Sequence, residues 1–326
     1  MKHVTLIPTS PNLFFSKNDP SDPRLGELFK QVSLFKDTYQ TNDFAIVGYP
    51  DDEGIKMNGG RPGALEAPKL IRQFLYKMTP PASYLEKLKQ PQPFHDVGDL
   101  EISGPLANRH QMAEDCIEYL QKQNVRTLSL GGGHDYGYAD TSAFIKSLSL
   151  NSLPTKPLII NFDAHLDVRP VTHGFNSGTP FYRLLSEYSE QIDFVEIGLQ
   201  PQCNSLFHRH WALEKKAHLF DLKDVTGNQL QKIFDHPVFQ KLTPRSPVFV
   251  SFDIDCLSSS EGGGCSQSWA TGLKTENCLN FLNQLYQKSD VRGLGIYEVS
   301  PPLDHDFKTS KTAALLAYSF LFQGAL

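Results

Sequence analysis

The chain has 326 residues, of which 40% are hydrophobic and 21% charged, a composition suited to a soluble globular protein with a full core. A formal net charge of -5 gives no basis for binding nucleic acid or an anionic membrane, and no run approaches the roughly 20 apolar residues that span a bilayer. The N-terminal stretch does not read as a secretory signal, and five scattered cysteines without C-x-x-C spacing read as reduced thiols of a cytoplasmic protein.

Residues 1–42 are irregular, with a Pro/Asp/Ser cluster at 19–23, and read as an extension packed on the main domain. Strands are predicted at FAIVG (44–48), FHDVG (94–98), RTLSL (126–130), PLIINF (157–162), DFVEIG (193–198), AHLFD (217–221), PVFVSF (247–252) and RGLGIYEV (292–299). Several are nearly continuous apolar runs, as expected of parallel strands covered on both faces. Helical patterns fill the gaps. GALEAPKLIRQFLYKM (63–78) follows the first strand, and RHQMAEDCIEYLQKQ (109–123) sets Met112, Cys116, Tyr119 and Leu120 on one stripe. TPFYRLLSEY (179–188) and TENCLNFLNQLYQK (275–288) behave alike. The alternation predicts an α/β protein, one mostly parallel sheet between helical layers, with residues 1–326 as a single domain.

Open α/β sheets carry their sites at the carboxyl ends of the strands. Three predicted strands end in ionisable clusters. PLIINF runs into Asp163, His165 and Asp167, alternate positions that share a side if the chain stays extended. PVFVSF runs into Asp253 and Asp255, and RTLSL into a triple-glycine turn that ends at His134. Each motif alone could be a turn or a surface pair. Together, four carboxylates and two imidazoles would repel one another and desolvate at great cost without a cation. Carboxylate and imidazole donors without thiolate suit Mn²⁺ or a similar ion.

At these residues the sequence resembles the arginase/agmatinase family, the ureohydrolases: GGGHD, DAHLD and SFDID stand in the family's order, with DDEGIKMNGGRPGALEAPKLIRQF (51–74) and EVSPPLD (298–304) as further matches. The resemblance implies a three-layer arginase-like fold with a central, mostly parallel eight-stranded sheet, and a homo-oligomer acting on a small molecule. It also implies two Mn²⁺ ions per subunit. One would take His134, Asp163, Asp167 and Asp253; the other Asp163, His165, Asp253 and Asp255, so that Asp163 and Asp253 bridge. Such a pair lowers the pKa of water to near neutrality.

Within the family the chain is similar to the formimidoylglutamase branch, through Val168-Arg169, then Asn176-Ser177-Gly178-Thr179-Pro180-Phe181, and through GLQPQCNS (198–205). That branch splits N-formimidoyl-L-glutamate into glutamate and formamide. Arg169 would give a carboxylate a planar, bidentate partner, unless it pairs with a nearby acid; Ser177 and Thr179 would add hydrogen bonds. Glu298 matches the family's late glutamate and would orient the amidine. Asp167 enters the catalytic step as a ligand. The family's acid/base histidine aligns with Ser177, leaving His173, Asp135 or water to protonate the leaving amine. Rival expectations are another guanidino substrate or a non-catalytic relative.

Overall fold

The computed structural model describes residues 4–86, 94–227 and 229–323. All eight predicted strands form: β3 (Phe44–Gly48), β4 (Phe94–Leu100), β5 (Arg126–Leu130), β6 (Leu158–Phe162), β7 (Asp193–Leu199), β8 (His218–Asp221), β9 (Pro247–Asp253) and β10 (Asp290–Tyr297). Two short strands of the N-terminal extension, β1 (Leu6–Ile7) and β2 (Phe29–Gln31), pair with β4 and enlarge the expected eight-stranded sheet to ten. The order is β1-β4-β3-β5-β10-β9-β6-β7-β8, with β2 also on β4 and β1 as the antiparallel member. Strand order reverses beside β5 and β10, the kind of switch point at which such sheets open a crevice.

Burial explains why these runs became strands. Every residue of β3, β6 and β9 is buried, so both faces must be covered. Ile46, Leu128, Ile160, Val250 and Leu294 face a large core shared with α1 (Ala67–Leu75), α6 (Thr275–Lys288) and α7 (Lys308–Phe322). The alternate residues, such as Val47, Ile159 and Phe249, face two smaller cores. Those cores form with α2 (Leu106–Lys122), α3 (Tyr136–Ser147), α4 (Pro180–Tyr188) and α5 (Leu206–Glu214).

The stripe expected on α2 buries Cys116 and Leu120, while Met112 and Tyr119 pack at its margin. Helices α3, α5 and α7 carry no predicted counterpart. In α3 ten of twelve residues are buried, and its polar side chains are satisfied inside the protein rather than displayed on one face. Tyr49 and Tyr297 donate to Asp140, and Ser142 donates to Glu114. Helix α7 is buried round most of its circumference, so it too lacks an amphipathic period. Among the described residues no helix is long and apolar enough to cross a membrane.

Candidate metal centre

Three loops at the carboxyl edge of the sheet bring the ionisable clusters together. After β5 the chain turns through Gly131, Gly132 and Gly133, pinned by Gly131 N–H to the Ile296 carbonyl (2.7 Å) and Gly133 N–H to the Asp51 carbonyl (3.1 Å). A Cβ on Gly132 would lie 1.7 Å from the Asp51 carbonyl oxygen, so only glycine passes there. This turn delivers His134 beside the ends of β6 and β9.

The His134 Nδ1 faces three carboxylates: Asp163 Oδ2 at 3.1 Å, Asp167 Oδ2 at 3.0 Å and Asp253 Oδ2 at 3.1 Å. The His165 Nδ1 lies 3.3 Å from Asp163 Oδ1 and 3.0 Å from Asp255 Oδ2. Potential ligand atoms therefore fall into two groups, His134-Asp163-Asp167-Asp253 and Asp163-His165-Asp255, each mutually within 4.8 Å. Asp163 belongs to both groups and turns one oxygen to each histidine. Asp253 belongs to the first group alone, so the second has three members rather than the four expected.

The donors fit a cation. The His134 Nδ1 is buried without a hydrogen-bond partner, while its Nε2 is 2.9 Å from the Ser251 hydroxyl. Donation from Nε2 to Ser251 leaves a lone pair on Nδ1 aimed at three carboxylate oxygens, an arrangement a shared cation satisfies. Electrostatics agree. Burial pushes the imidazoles of His134 and His165 down, but the surrounding carboxylates outweigh it and lift both well above the usual range. Burial raises Asp255 to about 6 against the opposing pull of His165. Such an excess of buried negative charge favours cation binding.

Two ionisable residues of the cavity wall hold left-handed backbone conformations that non-glycine residues rarely adopt, Asp167 at φ 48° and Glu298 at φ 64°. The Asp167 carbonyl accepts from Phe181 N–H (3.1 Å) at the start of α4, and Glu298 N–H donates to the Gly132 carbonyl (2.9 Å). Glu298 Oε1 also accepts from His134 N–H (3.1 Å). Burial, with the charges of Asp255 and Asp167 adding to it, raises Glu298 to about 8.

A cavity of about 290 Å³ opens over the cluster, and His165, Asp167, Asp253, Asp255 and Glu298 line it. Arg169 and Ser177 line it too; Arg169 is exposed, and Ser177 accepts from the Asn58 amide (3.1 Å). Gly178 makes room for the arginine, since a Cβ there would meet Arg169 Cδ at 2.7 Å. Thr179 and His173 are not brought into this cavity. The Thr179 hydroxyl donates to the Asn176 carbonyl (2.8 Å) and accepts from Asn176 N–H (3.1 Å), closing the turn before α4. His173 sits exposed on a single 3-10 turn (Val171–His173) away from the lining. Asp135 turns its carboxylate to His110 Nε2, 2.6 Å away. Asn58, Gln202, Cys203 and Asn204 also line the wall and were marked only as part of the matching segments 51–74 and 198–205. Sequence reasoning did not single out His208, on α5, or Gln267, in a loop, neither of which is marked by a periodic signal.

Fold and site together define a class. Residues 42–323 match the model described as the Arginase family, and the chain belongs to that family. Among its relatives are proteins named Formimidoylglutamase. That of Streptococcus gordonii is 30% identical over 300 residues, covering 86% of this chain and 83% of the relative. That of Photorhabdus laumondii subsp. laumondii is 29% identical over 323 residues, covering 95% and 96%. The crystal structure of formimidoylglutamase from Bacillus subtilis superposes with a TM-score of 0.82 at 26% identity, covering 96% of this chain and 95% of that one. Trypanosoma cruzi formiminoglutamase, solved with Mn²⁺, gives a TM-score of 0.76 at 26% identity, covering 93% and 99%.

Proposed function

We propose that this chain hydrolyses N-formimidoyl-L-glutamate to glutamate and formamide. The observation that carries the reading is an acid and a base set across one cavity: Glu298 in its buried wall, which a neighbouring amidinium would draw back into its ionised form, and Arg169 at its exposed side, both lining the space over the cluster. An amidinium at one end of the substrate matches the carboxylate, and the glutamyl carboxylates match the guanidinium. A dication such as agmatine would meet Arg169 with like charge. Relatives named Formimidoylglutamase support the same substrate.

We assign His134, Asp163, Asp167 and Asp253 to one Mn²⁺, and Asp163, His165 and Asp255 to a second. When bound, such ions polarise the amidine and make water nucleophilic near neutral pH. The chain's own residues do the rest. Glu298, fixed by the His134 N–H, accepts from the formimidoyl nitrogen and holds its carbon over the cluster. Arg169 holds a carboxylate, and Ser177, oriented by Asn58, offers its hydroxyl alongside. With His173 and Asp135 turned elsewhere, the water that is consumed supplies both the oxygen of formamide and the proton of the departing amine.

The reading extends to a role in histidine breakdown, in the cytoplasm, in a single-domain subunit. A homo-oligomer is supported by Leu206, Phe207 and Leu213, which expose 68%, 67% and 53% of their surface on α5. The test is glutamate release by the Mn²⁺-loaded protein from N-formimidoyl-L-glutamate, with agmatine and arginine alongside. Turnover of the first alone is expected; turnover of only a guanidino substrate would overturn the reading.

A further inference from the structure

Beneath the cluster lies a polar layer that the proposed chemistry does not use. Ser251, Asn161 and Glu196 stand side by side in register on β9, β6 and β7, and all three are fully buried. Asn161 and Ser251 each precede a candidate ligand, Asp163 and Asp253, by two residues, so their side chains share its face of the sheet. Ser251 meets His134 Nε2 at 2.9 Å. The Asn161 amide nitrogen donates to Asp163 Oδ2 at 3.3 Å and to Glu196 Oε1 at 2.5 Å. Both neighbours accept, which fixes the end of the amide that faces them. The other ends, Asn161 Oδ1 and Glu196 Oε2, have no hydrogen-bond partner.

A glutamate in the middle of a buried strand is costly unless it has a task. We propose that Glu196 is a positioning residue: by accepting the second hydrogen of the Asn161 amide, it holds that amide in the one orientation that donates to Asp163, the carboxylate common to both ligand groups. Without Glu196 the amide turns over at little cost, and its oxygen then faces the Asp163 oxygen that also lies 3.1 Å from His134 Nδ1. Oxygen against oxygen would swing Asp163 away from both histidines. Glu196 Oε1 accepts whether the carboxyl is ionised or protonated, so the tether does not depend on the charge of Glu196. The proposal rests on the reading of the cluster as a metal site.

The test is calorimetric titration of Mn²⁺ into the metal-free full chain, with the fold monitored by circular dichroism. Partners of this kind typically change metal affinity about 10- to 100-fold. Glu196→Leu is expected to weaken Mn²⁺ binding by that factor, and Asn161→Leu equally. The double variant is expected to be no worse than either single one, because the two residues act through one tether. Glu196→Gln keeps an acceptor oxygen and is expected to stay within about threefold of the parent, which a loss of packing or of charge would not explain. If Glu196→Leu folds and binds Mn²⁺ like the parent, or if Glu196→Gln is as weak as Glu196→Leu, the proposal is wrong while the metal reading stands. A parent chain that binds no Mn²⁺ overturns both.

Discussion

Gly132→Ala puts a single methyl group where the structure has no room for one. The added Cβ would lie 1.7 Å from the Asp51 carbonyl oxygen, 2.7 Å from its carbon and 2.8 Å from the Tyr49 carbonyl oxygen, all of them backbone atoms that cannot swing aside. Relief requires the glycine turn to move away from the chain leaving β3. That movement threatens the Gly133 N–H bond to Asp51 and the Glu298 N–H bond to Gly132, at 3.1 Å and 2.9 Å. Overpacking costs about 1–3 kcal/mol and each lost hydrogen bond about 1 kcal/mol, so roughly 3–5 kcal/mol is expected in all. For a chain of this size an unfolding entropy of about 2.1 cal/mol/K per residue converts this to a fall in Tm of roughly 4–7 °C. His134 moves with the turn, so Mn²⁺ affinity should fall at least about tenfold. Gly104→Ala is the control, since its Cβ meets nothing within 4 Å and pays only for a φ of 69°. Thermal melts and Mn²⁺ titration of both variants decide the matter. If Gly132→Ala melts no lower than Gly104→Ala and keeps its Mn²⁺ affinity, the steric argument for the turn fails.

Arg169→Met should raise KM for N-formimidoyl-L-glutamate on the order of 100-fold, the equivalent of about 3 kcal/mol from a charge-assisted pair, and leave kcat within severalfold; an unchanged KM in steady-state kinetics would remove Arg169 from the substrate site. Burial, opposed by hydrogen bonds from Tyr297 and Tyr49, raises Asp140 from 3.8 to about 6. The folded chain thus holds this proton more tightly than the unfolded chain, and the contribution to stability falls as pH rises from about 4 through 6, by roughly 3 kcal/mol. Denaturant unfolding should therefore show Asp140→Asn gaining on the parent between pH 4 and 7, and a flat difference would contradict the sign. Of the five cysteines, Cys116, Cys256, Cys265 and Cys278 are buried with thiols pushed up by desolvation, while Cys203 is half-buried beside the cavity. Brief iodoacetamide treatment of the native protein should label Cys203 first, as read by peptide mass spectrometry; labelling of a buried cysteine ahead of it would contradict the fold around the site.

The sheet was legible because its strands are buried on both faces and so appear as apolar runs that end in charged residues. The same feature marked five of the cluster residues, which lie at or just beyond strand ends, and the glycine turn marked His134. Helix α3 escaped because it is buried all round and satisfies Asp140 and Ser142 internally, leaving no stripe to find. Strands β1 and β2 span two and three residues, too short for any period to show. Thr179 and His173 illustrate the opposite error. Side chains six and twelve residues beyond Asp167 look near the site in sequence, yet an exposed loop and a tight turn carry these two elsewhere. Glu196 was hidden for another reason: an acid amid DFVEIG looks like a solvent-facing position, and only the register with Asn161 shows that it points inward.

The central claim is tested most directly by titrating Mn²⁺ into the metal-free chain while measuring glutamate release from N-formimidoyl-L-glutamate. The two ligand groups sharing Asp163 predict activity that is absent without metal and reaches its plateau near two equivalents per chain. Full glutamate release without added metal, or none at any Mn²⁺ concentration, would contradict it.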